Sequence, residues 1–403
     1  MLSVKEAQEK VVNSAVVRKT IKVPIIDSLH MVLAEDIISR DDIPAYDNSA
    51  VDGFAVKYID VIGAEKNYPV KLNLLKEDIP AGKVSGDTIE SGMCIQIMTG
   101  APIPKGCDCV VMKEDVLKEG RDVLIFKECR EGENIRFKGE DIKKGDIVLK
   151  AGKKIFPADI GILASTGTAE ATVFKPPVVA ILPTGDELIG INEELVLGKV
   201  RDSNSYSLSA QIKETGAGNK SCGIVKDDKE LIRNSILSAL DECDILLLTG
   251  GVSVGDYDYV KEMLDSIGAE FVFWRVNQRP GKPIAFLTYK DKFIFGLPGN
   301  PVSVMVCFEF YVRPLIKLFT GDAELFRKKI LAKAASDFSH KLGRTDFVRV
   351  KLDFLQDGTY FKSTGMQGSG ILMSMSEADG LAIFPESSGN IEKDTEIEVL
   401  LLK

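Results

Sequence analysis

The residues best placed to do chemistry fall in three runs where an apolar segment ends in glycine or proline. They are Val178-Val179-Ala180-Ile181-Leu182-Pro183-Thr184-Gly185-Asp186-Glu187, then Asp244-Ile245-Leu246-Leu247-Leu248-Thr249-Gly250-Gly251-Val252-Ser253-Val254-Gly255, then Phe293-Ile294-Phe295-Gly296-Leu297-Pro298-Gly299-Asn300-Pro301-Val302-Ser303. Glycines without a Cβ let backbone amides approach an anion closely, and Thr249 and Ser253 add hydroxyl donors. An ordinary strand-to-helix turn has the same composition. Two such turns ending strands of one sheet favour a phosphorylated or oxyanionic ligand at its carboxyl edge. The pattern G-x-x-x-x-G-K-[ST] is absent, so P-loop hydrolysis is not indicated.

Acidic and basic residues gather around the same turns. Asp186, Glu187, Asp202, Asp227, Asp228, Asp256 and Asp258 lie at or near the ends of the expected strands, where hard carboxylates suit Mg²⁺ held against substrate phosphates. Asp258 is the best placed, on the first turn after a glycine loop. Asp227 reads equally well as a helix N-cap, with Glu230 at the third position. The stretch Trp274-Arg275-Val276-Asn277-Gln278-Arg279-Pro280-Gly281-Lys282-Pro283 concentrates three cations, Arg275, Arg279 and Lys282, on a turn fixed by proline and glycine. That arrangement fits an oxyanion pocket, against the alternative of surface charge that binds nothing.

These residues need a scaffold. Apolar runs at 178–182, 221–225, 244–248 and 293–297 alternate with helical patterns, of which Val260, Met263, Leu264 and Ile267 have i, i+3, i+4, i+7 spacing. They imply a parallel sheet with crossover helices. Residues 3–18 read as a helix with Val4, Ala7, Val11, Val12 and Ala15 on one face, and a second helix is expected from Pro157 to Ser165. Short alternating runs such as 70–74 and 123–126 mark a small β domain inserted in the amino-terminal half; from physics alone its turns, at Asp47–Val56 and Met98–Pro104, are structural. Runs 347–352 and 396–400, separated by Gly-Ser turns, mark a final β barrel or sandwich. The expected division is 1–50 with 137–174 as a discontinuous elongated domain, 51–136 as the inserted β domain, 175–325 as a three-layer α/β domain with a mostly parallel sheet, and 326–403 as a C-terminal β barrel.

Composition limits the function classes. The chain has 403 residues, 45% hydrophobic, with a formal net charge of -9. That length calls for several cores, and the acidic balance argues against a broad nucleic-acid or membrane surface. The amino terminus lacks the apolar core of a signal peptide and no apolar run approaches ~18 residues, so a cytoplasmic location is expected. Seven cysteines without a C-x-x-C pair suit reduced thiols, and only two histidines, His30 and His340, argue against a histidine-driven triad.

Taken together, the ordered segments resemble the MoeA-type molybdenum insertases, the molybdopterin molybdenumtransferases that include the gephyrin E-domain. The carriers are 47–56, 99–104, Gly139-Glu140-Asp141, 183–188, 250–255, Pro280-Gly281-Lys282-Pro283 and 296–303, spanning nearly the whole chain. The resemblance implies an elongated homodimer whose cleft lies between the α/β domain of one subunit and terminal parts of the other. It implies that adenylylated molybdopterin and molybdate yield molybdenum cofactor and AMP. By motif match it assigns functional roles to Asp52, Thr99, Asp141, Glu187, Asp227 and Asp258, with Glu187 and Asp258 the candidates for Mg²⁺. Arg275 and Arg279 join them as candidates for molybdate, standing where relatives carry lysines, so the planar guanidinium fork replaces a point charge and tungstate stands as an alternative donor. Substrate binding is expected at Asp186, Asp202, Thr249, Gly250, Gly251, Ser253, Gly255, Lys282, Pro298, Gly299, Asn300, Pro301 and Ser303. Molybdopterin adenylyltransferase and recipient molybdoenzymes are the implied partners. Two rival readings are adenylyl transfer to molybdopterin with MgATP and a non-catalytic, gephyrin-like scaffold.

Overall fold

The computed structural model describes residues 1–75, 79–250 and 259–403. Its amino-terminal part is built from two chain segments running antiparallel. Thr20–Pro24 pairs with Glu170–Phe174, Ile37–Ile38 with Ile147–Leu149, and Asn48–Ser49 with Ile135–Arg136. The chain therefore goes out along one track and returns along the other, and everything between 49 and 135 hangs from the far end. That excursion is a six-stranded sheet including Gly53–Val56, Val70–Leu74, Met93–Ile97 and Asp122–Ile125. Its two faces bury separate apolar clusters, around Phe54 and Val56 and around Ile95 and Ile97.

Helix α1 (Val4–Val12) starts at a reciprocal cap: Glu6 N–H donates to Ser3 Oγ at 3.2 Å and Ser3 N–H to Glu6 Oε2 at 2.8 Å. The expected helix to residue 18 stops at 12. There Ser14 Oγ–H donates to Lys10 O at 3.1 Å, competing with the helical ladder just after Asn13. Ala7 and Val11 are fully buried and pack not on the linker but in the core of the α/β domain. Helix α2 (Pro157–Ser165) matches its expected span, with Pro157 at the first turn.

The central sheet has β1 (Val178–Pro183), β2 (Gly218–Ser221), β3 (Ile245–Thr249), β4 (Glu270–Trp274), β5 (Ala285–Tyr289) and β6 (Lys292–Leu297), in the order β2-β1-β3-β6-β5-β4. β2, β1, β3 and β6 are parallel, and β5 and β4 close the edge antiparallel. Alternate residues feed two cores. Val179, Ile181, Ile245 and Leu247 face α3 (Asn204–Glu214) and the helical run 301–319, while Ala180, Leu182, Leu246 and Leu248 face α4 (Lys229–Glu242) and α5 (Tyr259–Ser266). Three layers result. β2 lies at 218–221 rather than 221–225. The apolar Val225 is buried by bridging Thr184 beyond the strand, while the edge strand itself is polar because it is half exposed.

Strands β7 (Lys329–Ala334), β8 (Thr345–Leu355), β9 (Gly358–Ser363), β10 (Gly380–Phe384) and β11 (Glu396–Leu401) form a closed five-stranded barrel, β8 pairing with both β9 and β10. Val348, Val350 and Leu352 point into the barrel core, so Phe347 on the opposite face packs into the α/β core. The joint between barrel and α/β domain is ionic as well as apolar. Buried Glu309 lies 2.6 Å from both Arg313 Nε and Arg327 Nε, and Arg327 also donates to Leu402 O at 3.2 Å. Burial opposes the Glu309 charge, yet Arg327 and Arg313 hold its carboxyl below the ordinary range.

Candidate functional site

β1 and β3 are the strands between which the sheet order reverses, β2 following β1 to one side and β3 lying on the other. In an open α/β sheet the crevice beyond that point takes the ligand. Thr184 and Thr249 meet there: Thr184 N–H donates to Thr249 O at 2.9 Å. Gly250 continues the chain with φ +89°, and a Cβ on it would lie 2.3 Å from Thr184 O, so the turn admits no side chain. Gly251, Ser253, Gly255, Asp256 and Asp258 lie outside the described residues.

Next to this turn, Asp186 and Asp227 approach each other through their backbones. Asp186 N–H points to Asp227 Oδ2 and Asp227 N–H to Asp186 Oδ1, both at 3.4 Å. Both residues are exposed, as is Glu187, whose carboxylate folds back within 2.6 Å of where a Cβ on Gly185 would stand. The helix cap falls to the neighbour: Leu231 N–H donates to Asp228 Oδ1 at 2.9 Å, starting α4 one residue later than expected. Asp227 is thereby released from capping. Asp202 is buried and accepts from Ser205 N–H at 3.0 Å, so its carboxylate serves the first turn of α3. Among the described residues no group of three or more His, Cys, Asp or Glu is arranged to hold a metal. The pair Asp186 and Asp227 with Glu187 nevertheless offers the exposed oxygen donors that Mg²⁺ takes when substrate phosphates and water complete its shell.

The third turn sits at the start of helix α6 (Pro301–Cys307). Pro298 is buried, Gly299 and Asn300 are exposed, and Asn204 from α3 donates to Gly299 O at 2.8 Å. Ser303 is buried on this helix, whose Val302 N–H reaches across to Ser369 O of the barrel domain at 3.1 Å. The Arg279–Lys282 loop packs against the same helix. Gln278, buried, donates to Pro280 O at 3.0 Å and Gly281 O at 3.3 Å, accepts from Tyr311 Oη, and Cys307 Sγ approaches Gly281 O at 3.6 Å. Thus the basic loop and the Ser303 turn share one helix. Arg275 (φ +68°) precedes it, and Arg275, Arg279 and Lys282 have no carboxylate partner among the described residues.

Arg279 lines a cavity of about 90 Å³ with Ser339, Asp346, Arg349 and Gln367. Arg349, on β8, was not singled out by its sequence. It is 1% exposed, and among the described residues its guanidinium meets only neutral acceptors: Nε donates to Ser374 Oγ at 3.1 Å and an Nη to Gly368 O at 3.0 Å. Burial, with Arg279 adding repulsion, pushes its pKa down to about 10. A buried cation without a counter-ion is costly unless an anion arrives. The volume suits a small oxyanion and is too small for a nucleotide. Strand alternation was the only clue to Arg349, and it placed the residue outside the barrel, a face that only domain packing buries. Two larger cavities, of about 510 and 520 Å³, are lined in large part by linker residues and by none of the sequence candidates.

In the inserted domain, Asp52 and Thr99 are brought together: Thr99 N–H and Oγ1–H both donate to Asp52 Oδ1, at 2.9 and 2.8 Å, and Lys113 Nζ lies 3.6 Å from Oδ2. The Thr99 backbone donor, then its hydroxyl and Lys113, hold the Asp52 carboxyl below the usual range. Asp141 is exposed in the turn following Gly139, its N–H donating to Ile43 O at 3.1 Å. Among the described residues no hydrogen bond or ion pair joins Asp52, Thr99 or Asp141 to the α/β domain.

Family models match the chain along its length. The MoeA N-terminal region (domain I and II) matches residues 2–167, a probable molybdopterin binding domain 180–318, and the MoeA C-terminal region (domain IV) 331–402. The molybdopterin molybdenumtransferase of Staphylococcus aureus (strain COL) is 36% identical over 403 residues, covering 99% of this chain and 95% of the relative. The chain belongs to the MoeA family. Its counterpart in Staphylococcus epidermidis (strain ATCC 12228) is 35% identical over 400 residues, with 99% and 95% coverage. Among solved structures, the molybdopterin biosynthesis MoeA protein of Pyrococcus horikoshii OT3 superposes with a TM-score of 0.84 at 30% identity, covering 100% of both chains. The MoeA architecture of linker, inserted sheet, α/β layer and barrel is therefore shared over the whole length.

Proposed function

We propose that this chain is a molybdopterin molybdenumtransferase, making molybdenum cofactor and AMP from adenylylated molybdopterin and molybdate. The observation that carries the reading is the Arg279–Arg349 cavity: Arg279 on a loop packed against the Ser303 helix, and Arg349 on β8, buried without a counter-ion among the described residues. A dianionic tetrahedral oxide such as molybdate supplies the missing charge. Full-length similarity to molybdenumtransferases, linker and barrel included, favours this over a stand-alone adenylyltransferase or a non-catalytic scaffold.

In this mechanism the substrate brings its own nucleophiles, the dithiolene sulfurs that replace oxo ligands on the metal. The protein supplies position and charge. Amides of the Gly250 and Gly299–Asn300 turns hold phosphate oxygens, with Gly251, Ser253 and Gly255 assigned the same role, and Pro298 and Pro301 fixing the third turn. Arg279 and Arg349 orient the oxyanion, with Arg275, Lys282 and Ser303 alongside, so the planar forks discriminate by geometry and tungstate competes. Glu187 and Asp258 would hold Mg²⁺, with the exposed Asp186 and Asp227 as further oxygen donors, and the ion would supply charge neutralisation for the leaving phosphate. Asp202 orders α3 beneath the substrate.

We assign Asp52, Thr99 and Asp141 to the partner subunit's half of a homodimer cleft, since nothing described joins them to their own α/β domain. The reading keeps the division into 1–50 with 137–174, 51–136, 175–325 and 326–403, with α1 docked on the third unit. A cytoplasmic site of action, next to the adenylylating enzyme and the recipient molybdoenzymes, follows from the reaction. The test is single-turnover release of AMP from adenylylated molybdopterin with molybdate or tungstate. Arg349→Leu is expected to weaken molybdate dependence by roughly 100-fold, the scale of removing one charge-assisted hydrogen bond, while pterin nucleotide binding persists. Unchanged molybdate dependence in that variant would remove the pocket from the reaction.

A further inference from the structure

The basic loop carries its two cations outside and hides its own backbone. Arg279 and Lys282 are exposed, while Pro280 and Gly281 between them are buried. Their carbonyls turn inward, where one side chain meets both: Gln278 Nε2 donates to Pro280 O at 3.0 Å and to Gly281 O at 3.3 Å. Gln278 is 1% exposed, and its Oε1 accepts from Tyr311 Oη. These three partners leave the amide one orientation, since turning it over would set Oε1 against two carbonyl oxygens. Tyr311 cannot swing away, being fully buried with its ring edge-on to Phe273 at 6.2 Å.

Tyr311 lies in the π turn Phe308–Val312 that continues α6. Two glutamines pin this stretch from outside: Gln8 of α1 donates to Phe310 O at 3.3 Å, and Gln211 of α3 to Met305 O at 3.2 Å. Phe310, next to Tyr311, stacks on Phe347 of β8 with ring centroids 4.0 Å apart. Phe347 and Arg349 stand two positions apart on that strand and so share a face. Consecutive residues of one turn thus hold both sides of the Arg279–Arg349 cavity, Tyr311 through Gln278 and Phe310 through Phe347.

We propose that Gln278, locked by Tyr311, is a positioning residue that fixes the spacing of the Arg279 and Arg349 guanidinium groups, and with it the size of tetrahedral oxyanion the pocket prefers. The proposal rests on the reading of that cavity as the oxyanion site. Gln278 acts through the loop it carries. A pair of guanidinium groups already in place loses little freedom when the anion arrives. A loosened loop meets molybdate less often in the right geometry and lets Arg279 close on a smaller dianion such as sulfate, so affinity and selectivity fall together. Once molybdate is bound the reacting sulfurs belong to the substrate, and the limiting rate changes little.

The test is single-turnover AMP release by the full-length chain at increasing molybdate, with sulfate as competitor, in Tyr311→Phe, Gln278→Met, Arg349→Leu and Leu264→Val. Tyr311→Phe removes one hydroxyl and keeps the shape, so it carries the test should Gln278→Met fail to fold. Leu264→Val thins the core on the other face of the sheet and controls for lost stability alone. The half-saturating molybdate concentration is expected to rise roughly tenfold in Tyr311→Phe and roughly 10–100-fold in Gln278→Met, with the limiting rate within about twofold of wild type. The preference for molybdate over sulfate is expected to fall in both, and Leu264→Val to change neither quantity. Half-saturation in Tyr311→Phe and Gln278→Met equal to that of wild type or Leu264→Val, or an unchanged preference, would overturn the positioning role while Arg349→Leu still weakens molybdate dependence. Unchanged molybdate dependence in Arg349→Leu would instead overturn the oxyanion reading, and the proposal with it.

Discussion

Gly281→Ala tests whether the basic loop is fixed by close packing or merely rests on the surface. Gly281 has φ +90°, and a Cβ there would lie 2.5 Å from Cys307 Sγ and 2.8 Å from Gln278 Nε2. The left-handed backbone costs an alanine about 1–2 kcal/mol. The clash adds about 1–3 kcal/mol, because Cys307 and Gln278 are themselves fully enclosed and have nowhere to go. The sum, about 2–5 kcal/mol, corresponds to a fall of roughly 4–20 °C in the melting midpoint of a cooperative unit of 150–250 residues. The assay is thermal unfolding of the full chain beside molybdate dialysis, since the displaced loop carries Arg279 and Lys282. A double-mutant cycle with Cys307→Ala separates the two terms. Removing the sulfur should return about 1 kcal/mol or more of the clash while leaving the backbone strain. A midpoint within about 2 °C of wild type, or no coupling between the two substitutions, would refute the packing argument.

Neighbouring aspartates at the start of α4 should behave oppositely. Asp228→Ala is expected to cost about 1 kcal/mol of stability with AMP release retained, while Asp227→Ala leaves stability within about 0.5 kcal/mol and slows AMP release; melting and single-turnover measurements separate them. The Asp52 latch has a defined pH response. Its folded carboxyl is held below the ordinary aspartate value of 3.8, so whatever the bond to Thr99 contributes is present above that value and lost as pH falls through the lower folded one. A ¹³C-carboxyl titration should give an Asp52 midpoint below those of unpaired aspartates, and Thr99→Ala should raise it. An Asp52 midpoint that Thr99→Ala leaves in place would break the assignment.

Much of the architecture was written locally. Strands β1, β3 and β6 are continuous apolar runs because a parallel sheet buries both faces, and such runs are visible without any partner. Pro157 and Pro301 announced helix starts because a missing N–H costs nothing in the first turn. The glycine turns were equally legible, since Gly250 and Gly281 answer to backbone geometry that other residues adopt at a cost. Where burial departs from apolarity, the local signal failed. β2 is polar because it is a sheet edge, and the apolar residues after it belong to a loop that Val225 tucks under Thr184. The cap at Asp228 instead of Asp227 turned on one backbone rotation that two adjacent aspartates cannot reveal.

What the sequence determined alone was therefore a set of elements and of turns able to receive anions. What only tertiary structure decided was which charges meet. Arg349 was not singled out by its sequence, and is a buried cation because the barrel lays the outer face of β8 on the α/β domain. Asp52 and Thr99, 47 residues apart, share one hydrogen-bonded latch because the strands Gly53–Val56 and Met93–Ile97 pair antiparallel and bring these ends together. The physical reason is common to both: a charge is worth what its surroundings make of it, and desolvation and counter-ions are set by the packing of distant segments.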